Sequence, residues 1–329
     1  MLALILEAPG SMAVQSIPVP EPGPGELLIK VRAATTCGTD LKAFLRGHPV
    51  IPMPGPLGHE YSGVVVAIGD GSPFSIGEAI MGVHSAPCQS CFWCLHGQEN
   101  LCESIMSTKV LGAYAEYLLI PERITRLNVF PKPENLSFEI ASLLEPLSCV
   151  AQAITLLSLH PDDRVLIIGP GAIGLMFVAG FRASGVQCVT LAGRNDLRLA
   201  VGAGLGAKTC KVTEILANDY DVVVECTGQV EIWEKSVDYV RKGGTVVLFG
   251  GCASGTRASF DTKRLHYDQI TLISPFHFGT AAVRLAREWL LDPTIDLSPL
   301  ITGERKLEEA EDVFRDLQAG KALKYVFKP

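Results

Sequence analysis

Four cysteines, Cys88, Cys91, Cys94 and Cys102, lie within 15 residues, separated by two, two and seven others. Four thiolates at such spacing can close a tetrahedron around Zn²⁺, and a site with no open position is structural rather than catalytic. Two disulfides or an iron–sulfur cluster are the alternatives, and the spacing favours zinc. Three other stretches offer donors for a second, open site: Cys37-Gly-Thr-Asp40, Gly58-His-Glu60 and Glu145-Pro146. Cys37, His59 and Glu145 would supply thiolate, imidazole and carboxylate, with Glu60 as an exchangeable ligand and one position left for substrate. On spacing alone this second set is weak, because a lone cysteine or histidine is more often a core or surface residue.

A third constellation is Gly169-Pro-Gly171-Ala-Ile-Gly174, a G-x-G-x-x-G between a strand and an apolar helix. Glycines there let the backbone approach a pyrophosphate, whose charge sits at the positive end of the helix. The next strand ends Leu191-Ala-Gly-Arg194-Asn195, with no carboxylate where NAD would need one for its ribose 2′-hydroxyl. The room left by Gly193 and the guanidinium of Arg194 suit a 2′-phosphate, so NADP(H) is preferred. NAD(H) follows instead if Arg194 stacks on adenine or faces solvent. The candidate dinucleotide contacts are Gly169, Gly171, Ala172, Ile173, Gly174, Gly193, Arg194, Asn195, Arg198, Thr227 and Ser274.

The elements that must position these groups divide the chain. Up to about residue 145 it is rich in Pro and Gly, with strands expected at 27–33, 61–68 and 114–120, which suggests a β-barrel-like domain. Ser137 is a candidate N-cap for a helix running to Leu159. Strands and helices then alternate: strand 164–169, helix 172–184, strand 187–192, helix 196–205, and strands 221–225, 244–249 and 269–274. Continuous apolar strands separated by helices indicate a five-stranded, doubly wound parallel sheet in an α/β fold. Helices at 280–291 and 307–319 and a short strand at 324–327 complete the reading.

A net charge of −7 over 329 residues disfavours nucleic acid, which calls for a basic face. Met1-Leu-Ala-Leu-Ile-Leu6 is cut by Glu7 and Pro9 and lacks the basic flank of a signal peptide. The apolar run 172–181 is too short to span a bilayer, which needs about 20 residues. A soluble, cytoplasmic protein with reduced cysteines is expected.

These motifs, in this order and over essentially the whole chain, resemble the zinc-dependent medium-chain dehydrogenases, nearest the sorbitol and threonine dehydrogenase branch. Glutamate at position 145 matches the polyol branch, where the alcohol dehydrogenase branch typically has cysteine. The resemblance implies a GroES-like catalytic domain over 1–147 with the zinc lobe at about 85–105, a Rossmann coenzyme domain over 148–280, and a return to the first domain over 281–329. It implies Cys37, His59 and Glu145 as catalytic zinc ligands, with Glu60 adjacent. It also implies that Asp40 orients the histidine, that Thr39 hands on the alcohol proton, and that Cys88, Cys91, Cys94 and Cys102 hold the structural zinc. The reaction would be hydride transfer between a secondary alcohol of a polyol, sugar or cyclitol and NAD(P). A threonine-type amino-alcohol dehydrogenase, or a zinc- and coenzyme-binding protein without turnover, are the alternatives.

Lys42 stands where many relatives carry a relay histidine; His48 could substitute or be an ordinary loop residue. His277 is a cofactor or subunit contact or has a structural role, and Cys149, Cys188, Cys210, Cys226 and Cys252 suit small core positions. A homodimer or homotetramer is expected, with sheet strands 244–249 and 269–274 extending across a two-fold axis.

Overall fold

The computed structural model describes residues 1–49, 51–216 and 218–329, arranged in two compact units. The first comprises Met1–Ser148, Phe278–Leu291 and Ile301–Pro329; the second comprises Cys149–His277 and Asp292–Leu300. No helix among the described residues is long and apolar enough to cross a membrane.

In the first unit, strand Leu27–Thr35 is the organising element. Its side chains alternate toward a core that includes Leu4, Ile29, Tyr61, Tyr114, Phe314 and Phe327. It pairs antiparallel with Glu60–Ile68, with Tyr117–Ile120 and with the C-terminal strand Lys324–Phe327. The register sets Thr35 opposite both Glu60 and Val326. Thus residues near 36, 60 and 324 converge at one end of a sheet although up to 288 positions separate them. The apolar start also belongs here: Leu2–Ala8 forms a hairpin with Ser11–Ser16.

Ser137 does accept a hydrogen bond from the Ile140 amide, at 3.2 Å, as an N-cap should. The expected single helix is nevertheless two, Phe138–Ala141 and Leu144–Thr155. Pro146 explains the break. It has no N–H to donate to the carbonyl of Ser142, and its ring would clash there. Early in a helix a proline is tolerated, so a new helix starts and Glu145 falls in its first turn.

Among the described residues the second unit holds six parallel strands rather than five. The missed strand, Lys208–Lys211, lies on the sheet edge and is mostly exposed, so it carries no apolar run to signal it. Numbered along the chain, the strands lie in the order 3-2-1-4-5-6, and the order reverses between Arg164–Ile168 and Tyr220–Glu225. Ligands of open α/β sheets bind at such a reversal, outside the carboxyl ends of the strands.

Gly169, at φ +111, turns the first strand into helix Ala172–Ala183. A Cβ on Gly174 would sit 2.0 Å from the Gly169 carbonyl oxygen, a contact with backbone that cannot move aside cheaply. Gly174→Ala is therefore expected to destabilise the chain by about 1–3 kcal/mol in a denaturant titration. An unchanged midpoint would show that the strand–helix approach is looser than described.

Candidate functional site

Cys37 ends the run from Leu27–Thr35 and N-caps helix Gly38–Arg46, its Sγ accepting the Thr39 amide at 3.4 Å. His59 follows Gly58, whose φ of +90 permits the turn; a side chain there would strike the Tyr114 ring at 2.6 Å. Donor atoms of Cys37, His59 and Glu60 all lie within 4.8 Å of one another. Behind them is the fully buried Asp40. Its Oδ1 lies 3.3 Å from His59 Nδ1, and its Oδ2 accepts a 2.6 Å hydrogen bond from the Tyr114 hydroxyl. Burial acts to raise the Asp40 pKa, but His59, Tyr114 and Lys324 outweigh it and hold the carboxyl below its usual range. Asp40 thus occupies the place of a carboxylate that fixes a ligating imidazole.

Two buried carboxylates, Glu60 in this group and Glu145 outside it, each have a partner of their own. Glu60 meets Lys324, whose Nζ donates to both carboxylate oxygens at 2.7 and 2.5 Å and to the Thr36 carbonyl at 2.7 Å. The Thr35 hydroxyl also donates to Glu60. Burial works against charge on Lys324, but Glu60 and Cys37 hold its pKa above the usual value; burial likewise raises that of Glu60, against the pull of Lys324. Glu145 meets His84: Oε1 and Nδ1 are 3.1 Å apart. The His84 ring lies 5.0 Å from the His59 ring and stands edge-on to Phe278 at 5.8 Å. Burial, with His59 and Lys109 nearby, pushes the His84 pKa well below the usual value.

Of the expected donors Cys37, His59, Glu60 and Glu145, the structure brings the first three together and sets Glu145 beside His84. Neither Lys324 nor His84 was singled out by sequence. A lysine opening the otherwise apolar strand Lys324–Phe327 was a usable signal; a lone His84 was not.

The four-cysteine lobe fits zinc. Sulfur separations are 3.9 Å for Cys88–Cys94 and 3.6 Å for Cys91–Cys94. A tetrahedron with bonds of about 2.3 Å would place sulfurs about 3.8 Å apart. The Ser90 hydroxyl and the Ser90 and Cys91 amides bring the Cys88 thiol down to about 5, favouring the thiolate a metal needs. Among the described residues no disulfide occurs. At the first group, thiolate, imidazole and carboxylate are likewise a zinc donor set. Zinc held there would act as a Lewis acid on an alcohol or carbonyl oxygen. Thr39 is half-buried one turn into the helix; Lys42 is exposed.

In the second unit, a cavity of about 400 Å³ opens at the reversal of strand order. Gly169, Gly171, Gly193, Arg194, Arg198 and Thr227 line it, together with Pro170, Val212, Cys226, Gln229 and Ile232. Ala172, Ile173 and Gly174 belong instead to the helix behind it, and Asn195 caps the next helix by accepting the Arg198 amide at 3.1 Å. Ser274 donates to the Leu248 carbonyl at 3.2 Å and lies outside the lining. The space over Gly193 is not vacant either: a Cβ there would meet the Pro170 ring at 2.4 Å. Arg194 and Arg198 line the cavity beside this packed glycine. Glu225 anchors the opposite wall, accepting the Thr227 amide at 2.5 Å and the Gly228 amide at 3.0 Å. His277 adopts φ +58 and packs against Phe276.

The Glu60–Lys324 pair generates a direct test. Removing one partner of a buried ion pair leaves an uncompensated charge and costs about 3–5 kcal/mol. Lys324→Met is expected to lose that much in denaturant unfolding, and adding Glu60→Gln should recover more than half. A loss unaffected by Glu60→Gln would mean Lys324 acts through packing alone.

The family model described as the alcohol dehydrogenase GroES-like domain matches residues 23–134. That described as the glucose dehydrogenase C-terminus matches residues 138–327, more than half the chain. An L-threonine 3-dehydrogenase of Coxiella burnetii is 29% identical over 99% of this chain and 98% of its own length. D-arabinitol dehydrogenase 1 of Uromyces fabae is 28% identical over 100% and 97%. Among solved structures, a protein of Sinorhizobium meliloti 1021 described as a zinc-binding dehydrogenase, bound to NADP, superposes with a TM-score of 0.90 at 29% identity, covering 100% of this chain and 99% of that one. With its GroES-like and Rossmann parts and its two donor clusters, the chain belongs to the zinc-dependent medium-chain alcohol dehydrogenase family.

Proposed function

We propose that this enzyme oxidises a secondary alcohol of a polyol, sugar or cyclitol to the ketone, reversibly, with NADP(H) preferred over NAD(H). The reading assigns two zinc ions per chain: a structural one at Cys88, Cys91, Cys94 and Cys102, and a catalytic one at Cys37 and His59 with Glu60 and Glu145 as the available carboxylates. The observation that carries it is the group of half-buried Cys37 with buried His59 and Glu60, and Asp40 behind the imidazole. In this scheme Asp40 fixes His59 and Thr39 would take the hydroxyl proton; a bound nicotinamide coenzyme would supply the hydride chemistry. The buried carboxylates keep the surroundings polar, which suits a hydroxylated substrate. Reduced cysteines fit a cytoplasmic setting. Strand Thr271–Ile273, at the sheet edge, is the surface proposed for a homodimer or homotetramer.

The threonine-type reading stays in view because L-threonine 3-dehydrogenases of several bacteria match nearly the whole chain. A panel of polyols, sugars, inositols, threonine and simple alcohols, followed by nicotinamide absorbance, separates the two. Turnover of polyols above threonine, with two zincs per chain, is expected. One zinc per chain and no coenzyme binding would sink the enzymatic reading.

The coenzyme preference rests on the two guanidiniums lining the cavity, Arg194 and Arg198. A charge-assisted hydrogen bond contributes about 1.5–3 kcal/mol, so Arg194→Ala should weaken NADPH about 10–100-fold. NADH affinity should change little. Equal kcat/KM for the two coenzymes in the parent enzyme would defeat the preference.

A further inference from the structure

Glu145 is the one expected metal ligand that stands outside the donor group, and His84 is the side chain it meets. His84 lies two residues beyond strand Ala79–Gly82, and its backbone is held from both sides. Its carbonyl accepts the Val110 amide at 2.7 Å, the Ser85 carbonyl accepts Asn128 Nδ2 at 2.8 Å, and the Val83 carbonyl accepts the Tyr61 hydroxyl at 3.1 Å. The imidazole is 7% exposed and packed between the His59 and Phe278 rings. So fixed a ring, 3.1 Å from Glu145 Oε1, leaves the carboxylate a defined place.

We propose that His84 is the positioning residue for Glu145, holding its carboxylate beside the Cys37, His59 and Glu60 group and outside it. Glu145 then joins the donor set only by leaving the imidazole. The inference rests on reading Cys37 and His59 as metal ligands, and it concerns which carboxylate completes the set. Glu60 alone cannot settle that, because Lys324 and Thr35 already engage it. His84 and Lys324 are thus opposing restraints on two carboxylates competing for one metal.

The test uses the full-length enzyme with zinc kept in the four-cysteine lobe and Co²⁺ at the other site. Affinity is read by chelator competition and coordination by the visible d–d absorption. Outer partners of ligands typically change metal affinity about 10–100-fold when removed. His84→Ala is expected to bind Co²⁺ about tenfold more tightly, with weaker d–d absorption as Glu145 adds a donor. Glu145→Gln in that background should return both to parental values. His84→Asn, whose amide can donate from nearly the Nδ1 position, should behave like the parent, and it serves if the alanine variant folds poorly. Unchanged spectrum and affinity in His84→Ala, or a change that survives Glu145→Gln, would overturn the proposal. A cobalt signal that persists in Cys37→Ser would instead remove the metal-site reading itself.

Discussion

The buried ion pair between Glu60 and Lys324 is the interaction on which the first unit turns. A carboxylate at 0% exposure and an ammonium at 3% are each costly alone, so neither can be buried without the other. Satisfying both requires strand Lys324–Phe327 to lie against Leu27–Thr35, with the Thr36 carbonyl completing the ammonium's bonds. That pairing brings the end of the chain to the loop that carries Cys37. Charge neutralisation and strand register are therefore one constraint, and the donor group forms where they meet.

Around that pair, buried charge is balanced by neighbours at every step. Asp40 is answered by His59 and the Tyr114 hydroxyl, and Glu145 lies against His84. Glu60 and Glu145 thus each have a partner of their own. The four-cysteine lobe has the opposite character: four thiols gathered at tetrahedral spacing. A closed set of this kind fixes a loop, whereas the open set can do chemistry.

The coenzyme unit shows close packing doing two jobs. Gly174 lets the helix approach the Gly169 carbonyl, and Gly193 lets the Pro170 ring lie over the next strand. Both glycines shape the cavity by what fits against them, and Arg194 and Arg198 then supply its charge. Glu225, at the end of its strand, is pushed up by burial and drawn back by the Thr227 and Gly228 hydrogen bonds that hold the far wall.

The sequence by itself determined what depends on neighbouring residues. Cysteines two apart, glycines at G-x-G-x-x-G spacing, and apolar strands alternating with helices are local patterns, because a few residues of backbone geometry decide them. Most elements of the second unit followed from such patterns; the exposed edge strand Lys208–Lys211 did not, since an edge needs no apolar run. The tertiary structure decided which side chain meets each carboxylate near Cys37 and His59. They are Lys324, 264 residues from Glu60, and His84, 61 residues from Glu145. It also decided that Pro170, not a phosphate, fills the space over Gly193. No spacing rule carries such facts, because burial and electrostatic balance are properties of the packed chain and are set only when distant segments meet.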